Sequence, residues 1–277
     1  MSLYFASPSN ELAPYIKRYW AIENVLDKDE ICVQRIIPTG LTELLLYFTP
    51  RPKVLTNNKF LSDNVALYGH QNDFYDMEMN DDLSVFSIVF QPQGLKQFFK
   101  FPLHEIFNQN VPLQYLIGQS GRDLEEKMGE ATTFHQRVNI AETYLFHLLK
   151  ANFDDFEFRR INHIIDLIKK THGNINTCTL YEVQSINQMA SAACLCRKQF
   201  ERIFAEHIGI SPKQYLKIIR FQFAIFQKQK NVNMSMLDLS YECGYYDQSH
   251  FINDFKSFCG LTPKQYFSEN EACSDFF

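Results

Sequence analysis

FERIFAEHIGISPKQY, residues 200–215, returns 51 positions later as FINDFKSFCGLTPKQY, residues 251–266. Phe200, Phe204, Gly209, Pro212, Lys213, Gln214 and Tyr215 recur as Phe251, Phe255, Gly260, Pro263, Lys264, Gln265 and Tyr266. A constant displacement of this kind marks a small unit present twice in tandem. In the first copy Phe200, Ile203, Phe204 and Ile208 fall at helical spacing; Phe251, Phe255 and Phe258 do so in the second. Each stripe predicts a short helix packed on one side. Gly209 and Gly260 supply the left-handed residue that stops it, and Ser211-Pro212 and Thr262-Pro263 start the next helix with a cap and a proline.

A shorter helix precedes each stripe, carrying Ile186, Met189 and Ala190 in the first copy and Met236, Leu237, Leu239 and Ser240 in the second. Two helices joined by a short turn, the second with a polar outer face, form the helix-turn-helix pattern. Projection at about 100° per residue puts Lys198 and Arg202 opposite the core, flanked by Gln199 and Arg197. The second copy presents Ser249, Asn253 and Lys256, flanked by Gln248 and His250. These side chains suit groove reading: Arg and Lys for guanine, Gln and Asn for adenine, Ser for base or phosphate. His250 either touches DNA or simply faces solvent, whereas His207 lies inside the apolar stripe and is expected in the core.

The run Ser185 to Phe204, Gly209-Ile210-Ser211-Pro212, Arg220, Leu237-Asp238-Leu239-Ser240, Gly244-Tyr245-Tyr246-Asp247-Gln248-Ser249-His250-Phe251 and Gly260-Leu261-Thr262-Pro263 resembles the DNA-binding domain of AraC-type bacterial transcription regulators. The resemblance implies about seven helices, with two helix-turn-helix units bridged by one long helix from Pro212 to about Lys228. Some positions depart from the family pattern. Cys194 and Cys196 replace a turn glycine and a serine cap, Asn253 and Ser257 stand where basic residues are common, and Thr177 to Gln184 reads as an insertion.

The amino-terminal half reads differently. Cys32 to Ile37, Thr42 to Phe48, Val65 to Tyr68 and Leu83 to Phe90 have strand composition, broken by Pro38-Thr39-Gly40, Pro50-Arg51-Pro52 and Pro92-Gln93-Gly94. Helical pattern returns at Gly94 to Lys100, Arg122 to Met128 and Thr133 to Lys150. In the last of these Val138, Ala141, Leu145, Leu148 and Leu149 form a stripe, and Thr133 with Gln136 predicts a capping box. The stripe suits a helix closing the β-rich half, with a dimer seam as the alternative. Tyr15 to Trp20, Ile37-Pro38-Thr39-Gly40 to Leu46, Gly69-His70-Gln71 and Phe90-Gln91-Pro92-Gln93-Gly94 resemble the cupin-like domain that precedes the DNA-binding half in a subset of these regulators. In the broad family that domain senses a small molecule, dimerises, or both.

Composition sets the outer limits. The chain has 277 residues, 45% of them hydrophobic and 26 of them Phe, which excludes disorder and suggests two domains. Seven scattered Cys without a secretory signal suit a reducing cytosol, and the longest apolar run, Leu44 to Phe48, is too short to cross a bilayer. The net charge of −5 hides a division. Residues 1–158 carry 13 Lys and Arg against 21 Asp and Glu, and residues 159–267 carry 14 against 8. Positive charge therefore gathers where the repeat lies, as phosphate binding requires, although a solvated helical surface would look the same.

Other constellations favour plain readings. His70, Gln71, Asp73, Asp76 and Glu78 lack the spacing of a cupin metal site and read as a solvated loop. Cys194 and Cys196 have no partner pair and read as inert packing. Tyr15, Tyr19 and Trp20, at spacings of four and five, suit a packed helix face as well as a ligand pocket. No nucleophile elbow, phosphate loop or zinc-protease motif is present, and the acids Asp81-Asp82 and Asp154-Asp155 read as turn or linker residues.

The expected architecture is α+β. Residues 1–151 form a β-rich sensing or dimerisation domain with closing helices, 152–158 a linker, 159–267 the DNA-binding domain and 268–277 an acidic tail. The expected function is a cytoplasmic, sequence-specific transcription regulator with no enzyme activity, no metal and no cofactor. Its partner is double-stranded DNA; a small-molecule effector, RNA polymerase and a second copy of the chain are left open, and no membrane is involved. The alternative is a small-molecule-binding or catalytic β-barrel whose helical half mediates protein contacts.

Overall fold

Strand β4, Glu43–Tyr47, shows how the amino-terminal half is built. Leu44 and Leu46 point to one face and are buried, while Glu43 and Leu45 point to the other. In the computed structural model, which describes residues 2–23, 31–55, 64–80, 83–152, 155–173 and 185–269, β4 lies inside a six-stranded antiparallel sheet. The order is β1 (Ser2–Ala6), β2 (Ile16–Glu23), β8 (Ser84–Phe90), β4, β6 (Val65–Tyr68) and β9 (Asn110–Pro112). A smaller sheet, β3 (Ile31–Ile36), β7 (Tyr75–Asn80) and β5 (Lys53–Val54), packs on one face of it, with Cys32, Met77 and Met79 against Trp20, Ile22, Leu45, Tyr47 and Val85.

The other face of the large sheet is covered by helices. After α1 (Leu113–Ile117), α2 (Gln119–Glu130) contributes Leu124 and Met128, and α3 (Phe134–Asn152) contributes Val138, Ala141, Leu145 and Leu148. The stripe read from the sequence thus closes the β-rich half. Its capping box is present: the Gln136 main-chain N–H donates to Thr133 Oγ1 at 3.2 Å, and the Thr133 N–H donates to Gln136 Oε1 at 3.2 Å.

Seven helices follow among the described residues: α4 (Asp155–Gly173), α5 (Ile186–Ala192), α6 (Arg197–Ile208), α7 (Pro212–Lys230), α8 (Met236–Glu242), α9 (Gln248–Cys259) and α10 (Pro263–Glu269). The molecule is therefore α+β, β-rich and cupin-like first and helical after. The two halves share apolar contacts, since Leu41 and Val89 join the core of the helical half and Trp20, Ile37 and Phe107 pack on it. Gln222 Nε2 also donates to the Pro38 carbonyl at 2.8 Å inside this contact.

Several local expectations are corrected. Tyr15, Tyr19 and Trp20 do not share a helix face: Tyr19 and Trp20 are neighbours on β2 and point to opposite faces of the sheet, because spacings of four and five fit a strand edge as well as a helix. Of the acids near His70, only Asp73 stands exposed in a loop as expected. Asp76 and Glu78 lie in β7, while His70 is buried against the helical half. Gly94 to Lys100 yields only one 3-10 turn, Leu95–Gln97.

Within the expected linker, the part from residue 155 onward is the first turn of α4. Phe158 packs on Tyr15 at 5.0 Å between ring centroids in the amino-terminal core, while Ile161, Ile164, Ile165 and Ile168 enter the other core. The insertion at 177–184, the acids Asp81, Asp82 and Asp154, and the acidic tail beyond Glu269 lie outside the described residues.

Candidate nucleic-acid interface

Both helix-turn-helix units form as the repeat dictates. Helix α5 opens with a capping box between Ser185 and Gln188, packs Met189 and Ala190 inward, and is followed by α6 with Phe200, Ile203, Phe204 and Ile208 buried. Helix α8 opens on a Ser235 cap, packs Leu239 and Ser240 inward, and is followed by α9 with Phe251, Phe255 and Phe258 buried. The bridging helix α7 carries Pro at its first position and a capping box between Ser211 and Gln214; Thr262 and Gln265 repeat that box before α10. Gly209 and Gly260 end the two second helices at φ +101° and +76°.

These stripes leave the opposite faces in water. Arg197, Lys198, Gln199 and Arg202 are exposed on α6; Ser249, His250, Asn253 and Lys256 are exposed on α9, where Gln248 is half-buried. Acidic neighbours temper the charge on α6, with Arg197 Nε 2.9 Å from Glu201 and Arg202 Nη1 3.6 Å from Glu206. On α9 the buried Asp254 accepts from Lys217 Nζ of α7 at 3.0 Å and lies 3.6 Å from His250 Nε2. The corresponding position in the first unit is Ile203. His207, expected in the core, is buried.

The turns differ. Residues 193–196 join α5 to α6, and residues 243–247 join α8 to α9, so the second turn is one residue longer. Gly244 takes φ +73°; in the first unit Cys194 takes φ +55°, a conformation that L side chains resist. Asp247 caps α9 by accepting from the His250 N–H at 2.8 Å, while Cys196 makes no such cap and its thiol donates to Gln199 Oε1 at 3.2 Å. Both Cys194 and Cys196 are exposed, which corrects the expectation that they are packed inside. Tyr246, 93% exposed directly before the Asp247 cap, was missed because projection along a helix ignores turn residues.

The amino-terminal half offers an open groove lined by Tyr47, Phe48, Arg51, Asn64, Glu125 and Gly129. Among the described residues no group of three or more His, Cys, Asp or Glu is placed to hold a metal, and no helix is long and apolar enough to cross a membrane.

Comparison with known proteins agrees with this geometry. Residues 189–269 match a family described as "Helix-turn-helix domain", and residues 4–112 match a "Domain of unknown function". The helical half is an AraC-type helix-turn-helix domain. Over 81 residues the chain is 40% identical to an uncharacterized HTH-type transcriptional regulator of Haemophilus influenzae, covering 29% of this chain and 27% of that protein. It is 29% identical over 164 residues to the probable transcriptional regulator LumQ of Photobacterium leiognathi, covering 58% of this chain and 61% of that one. Against the regulator GbdR of Pseudomonas aeruginosa identity is 25% over 162 residues, 54% of this chain and 38% of the relative. The chain thus spans less than two thirds of the length of each of these relatives. Among solved structures, ToxT of Vibrio cholerae aligns over 97% of this chain and 98% of its own at 11% identity and a TM-score of 0.46, too loose a match to add to the reading. The two family matches fall one on the β-rich half and one on the tandem units.

Proposed function

We propose that the chain is a sequence-specific DNA-binding transcription regulator, a one-component sensor whose amino-terminal domain, about residues 1–151, binds an effector or dimerises. The observation that carries this reading is the pair of exposed polar ridges, each on the second helix of a duplicated unit and each backed by an apolar core. Arg197, Lys198, Gln199 and Arg202 read one stretch of major groove; Gln248, Ser249, His250, Asn253 and Lys256 read the next. Arg and Lys there offer guanine contacts, and Gln and Asn offer adenine contacts. Two such helices on one DNA face require elements about 10 base pairs apart, so one chain engages both. The protein acts in the cytoplasm and has no enzyme activity; contact with RNA polymerase or with a second copy fits the same role.

The test is a duplex selected from a randomised pool by the full-length chain, followed by titration across salt concentrations. Affinity should fall steeply with salt, and the selected sequence should hold two short elements about one helical turn apart. No enrichment of any sequence, with no binding at low salt, would overturn the proposal.

A further inference from the structure

The two reading helices end alike, and both ends lie against the same part of the amino-terminal half. A Cβ added to Gly209 would stand 3.2 Å from the Leu103 carbonyl oxygen and 3.4 Å from the His70 ring; one added to Gly260 would stand 2.5 Å from the tip of the Phe74 ring. His70 and Phe74 belong to the short connection between β6 and β7. His70 is 2% exposed, hydrogen-bonds the main chain of Ile208, the last residue of α6, and meets Tyr215 edge-on at 6.2 Å.

At the second unit the tie runs through Arg35. Its Nη1 donates to the carbonyl of Cys259, the last residue of α9, at 3.1 Å, and its guanidinium lies over the Phe74 ring at 4.5 Å. Nε and Nη2 donate to the two carboxylate oxygens of Asp76 at 2.7 and 2.9 Å, which holds the fork in one plane. A guanidinium against the last carbonyl of a helix also suits the negative end of the helix dipole. Lys96 Nζ, 3.8 Å from Glu206, adds a second amino-terminal contact on α6.

Helix α7 joins the two units through one apolar core, and its Lys217 pairs with Asp254 of α9. Holding the far end of each reading helix against a common third body adds a second constraint on their separation. Resting on the DNA-binding reading above, we propose that the β6–β7 connection, residues 69–74, and Arg35, held by Asp76, set the separation of the two reading helices, so that the β-rich half decides which element spacing the chain accepts. Arg35, His70 and Phe74 are positioning residues: they touch no DNA and act through the ends of α6 and α9.

The test compares the full-length chain with its Arg35→Ala and Phe74→Ala variants. The probes are a selected duplex, duplexes with its two elements moved two base pairs closer or farther, and a duplex with one element only. The parent chain should lose at least about tenfold in affinity off the preferred spacing, on the scale of one mismatched base pair. The variants should bind the selected duplex more weakly, lose most of that spacing discrimination, and bind the single-element duplex as the parent does. Arg35→Lys keeps the cation without the planar fork and should fall between parent and Ala. Phe74→Leu serves if Phe74→Ala does not fold. Variants that keep the parent's spacing preference, or that weaken every duplex equally, overturn the inference while leaving the DNA-binding reading intact. Absence of binding by the parent to any duplex removes that reading, and this one with it.

Discussion

The two helix-turn-helix units reach one backbone by different chemistry. The first concentrates cations, with Arg197, Lys198 and Arg202 exposed on α6, but its turn is poorly made: Cys194 sits at φ +55° and Cys196 leaves the helix without a side-chain cap. The second has a well-made turn, with Gly244 at φ +73° and Asp247 capping α9, and its face is nearly neutral. A buried Asp254 to Lys217 ion pair also ties α9 to α7, where the first unit has Ile203. Cations that face phosphate give affinity indifferent to sequence and those that face guanine also discriminate, whereas neutral hydrogen-bonding side chains act mainly on base edges. On the reading proposed above, the first unit would supply more of the affinity and the second more of the selection.

The largest effect expected from that division is on DNA. Replacing Arg197, Lys198 and Arg202 together by Ala should lower affinity by roughly two orders of magnitude or more on every duplex and flatten the salt slope by about 2 to 3. Replacing Gln248, Ser249 and Asn253 by Ala should cost affinity only on the selected sequence. Binding isotherms that fall alike for both sets would erase the distinction.

The anchors of the two units also differ in what titrates: the first carries an imidazole, the second the Asp76 carboxyl, which the hydrogen bond from Arg35 holds below the usual carboxylate range. Burial holds the His70 imidazole near 4 against an ordinary 6.5, despite its bond to Ile208. The unfolded chain therefore takes up a proton near pH 6.5 that the folded chain refuses until about pH 4. Stability from this group is full above 6.5 and drains as pH falls, by roughly 2 kcal/mol at pH 5. Urea unfolding at both pH values should show that loss in the parent chain and not in His70→Gln; a parallel loss in both would move the cause elsewhere.

The smallest effects lie in the turns. Cys194→Gly should stabilise the chain by about 1 kcal/mol, and Gly244→Ala should destabilise it by about as much. Cys196→Ser, by supplying the missing cap, should add about 0.5 to 1 kcal/mol. Melting temperatures that do not separate these substitutions in sign would mean that the first turn carries no strain.

The helical half was legible because its signals are local: a stripe at helical spacing, glycine stops and capping pairs each need only neighbouring residues. The same holds for α3, whose stripe and Thr133 cap both stand in the structure. Strand β2 was not legible, since Tyr15, Tyr19 and Trp20 fit two periods and only pairing with β1 and β8 selects one. The burial of His70 depends on helices more than a hundred residues away. Alternating acids in β7 look like solvent-facing loop until Arg35, 41 positions earlier, is seen to hold Asp76. The exposed ridges were legible through projection, while Tyr246 lay in a turn where projection has no meaning.

Phe158 and Ile161 sit less than one turn apart on α4, yet each is a plug for a different core. One extra residue between them would swing everything downstream by about 100°. A fragment begun at residue 159 would lack the opening turn of this helix, and an amino-terminal fragment ended before Phe158 would leave a hole beside Tyr15. Halves exchanged between relatives would thus have to be cut upstream of that helix, or keep its phase to the residue.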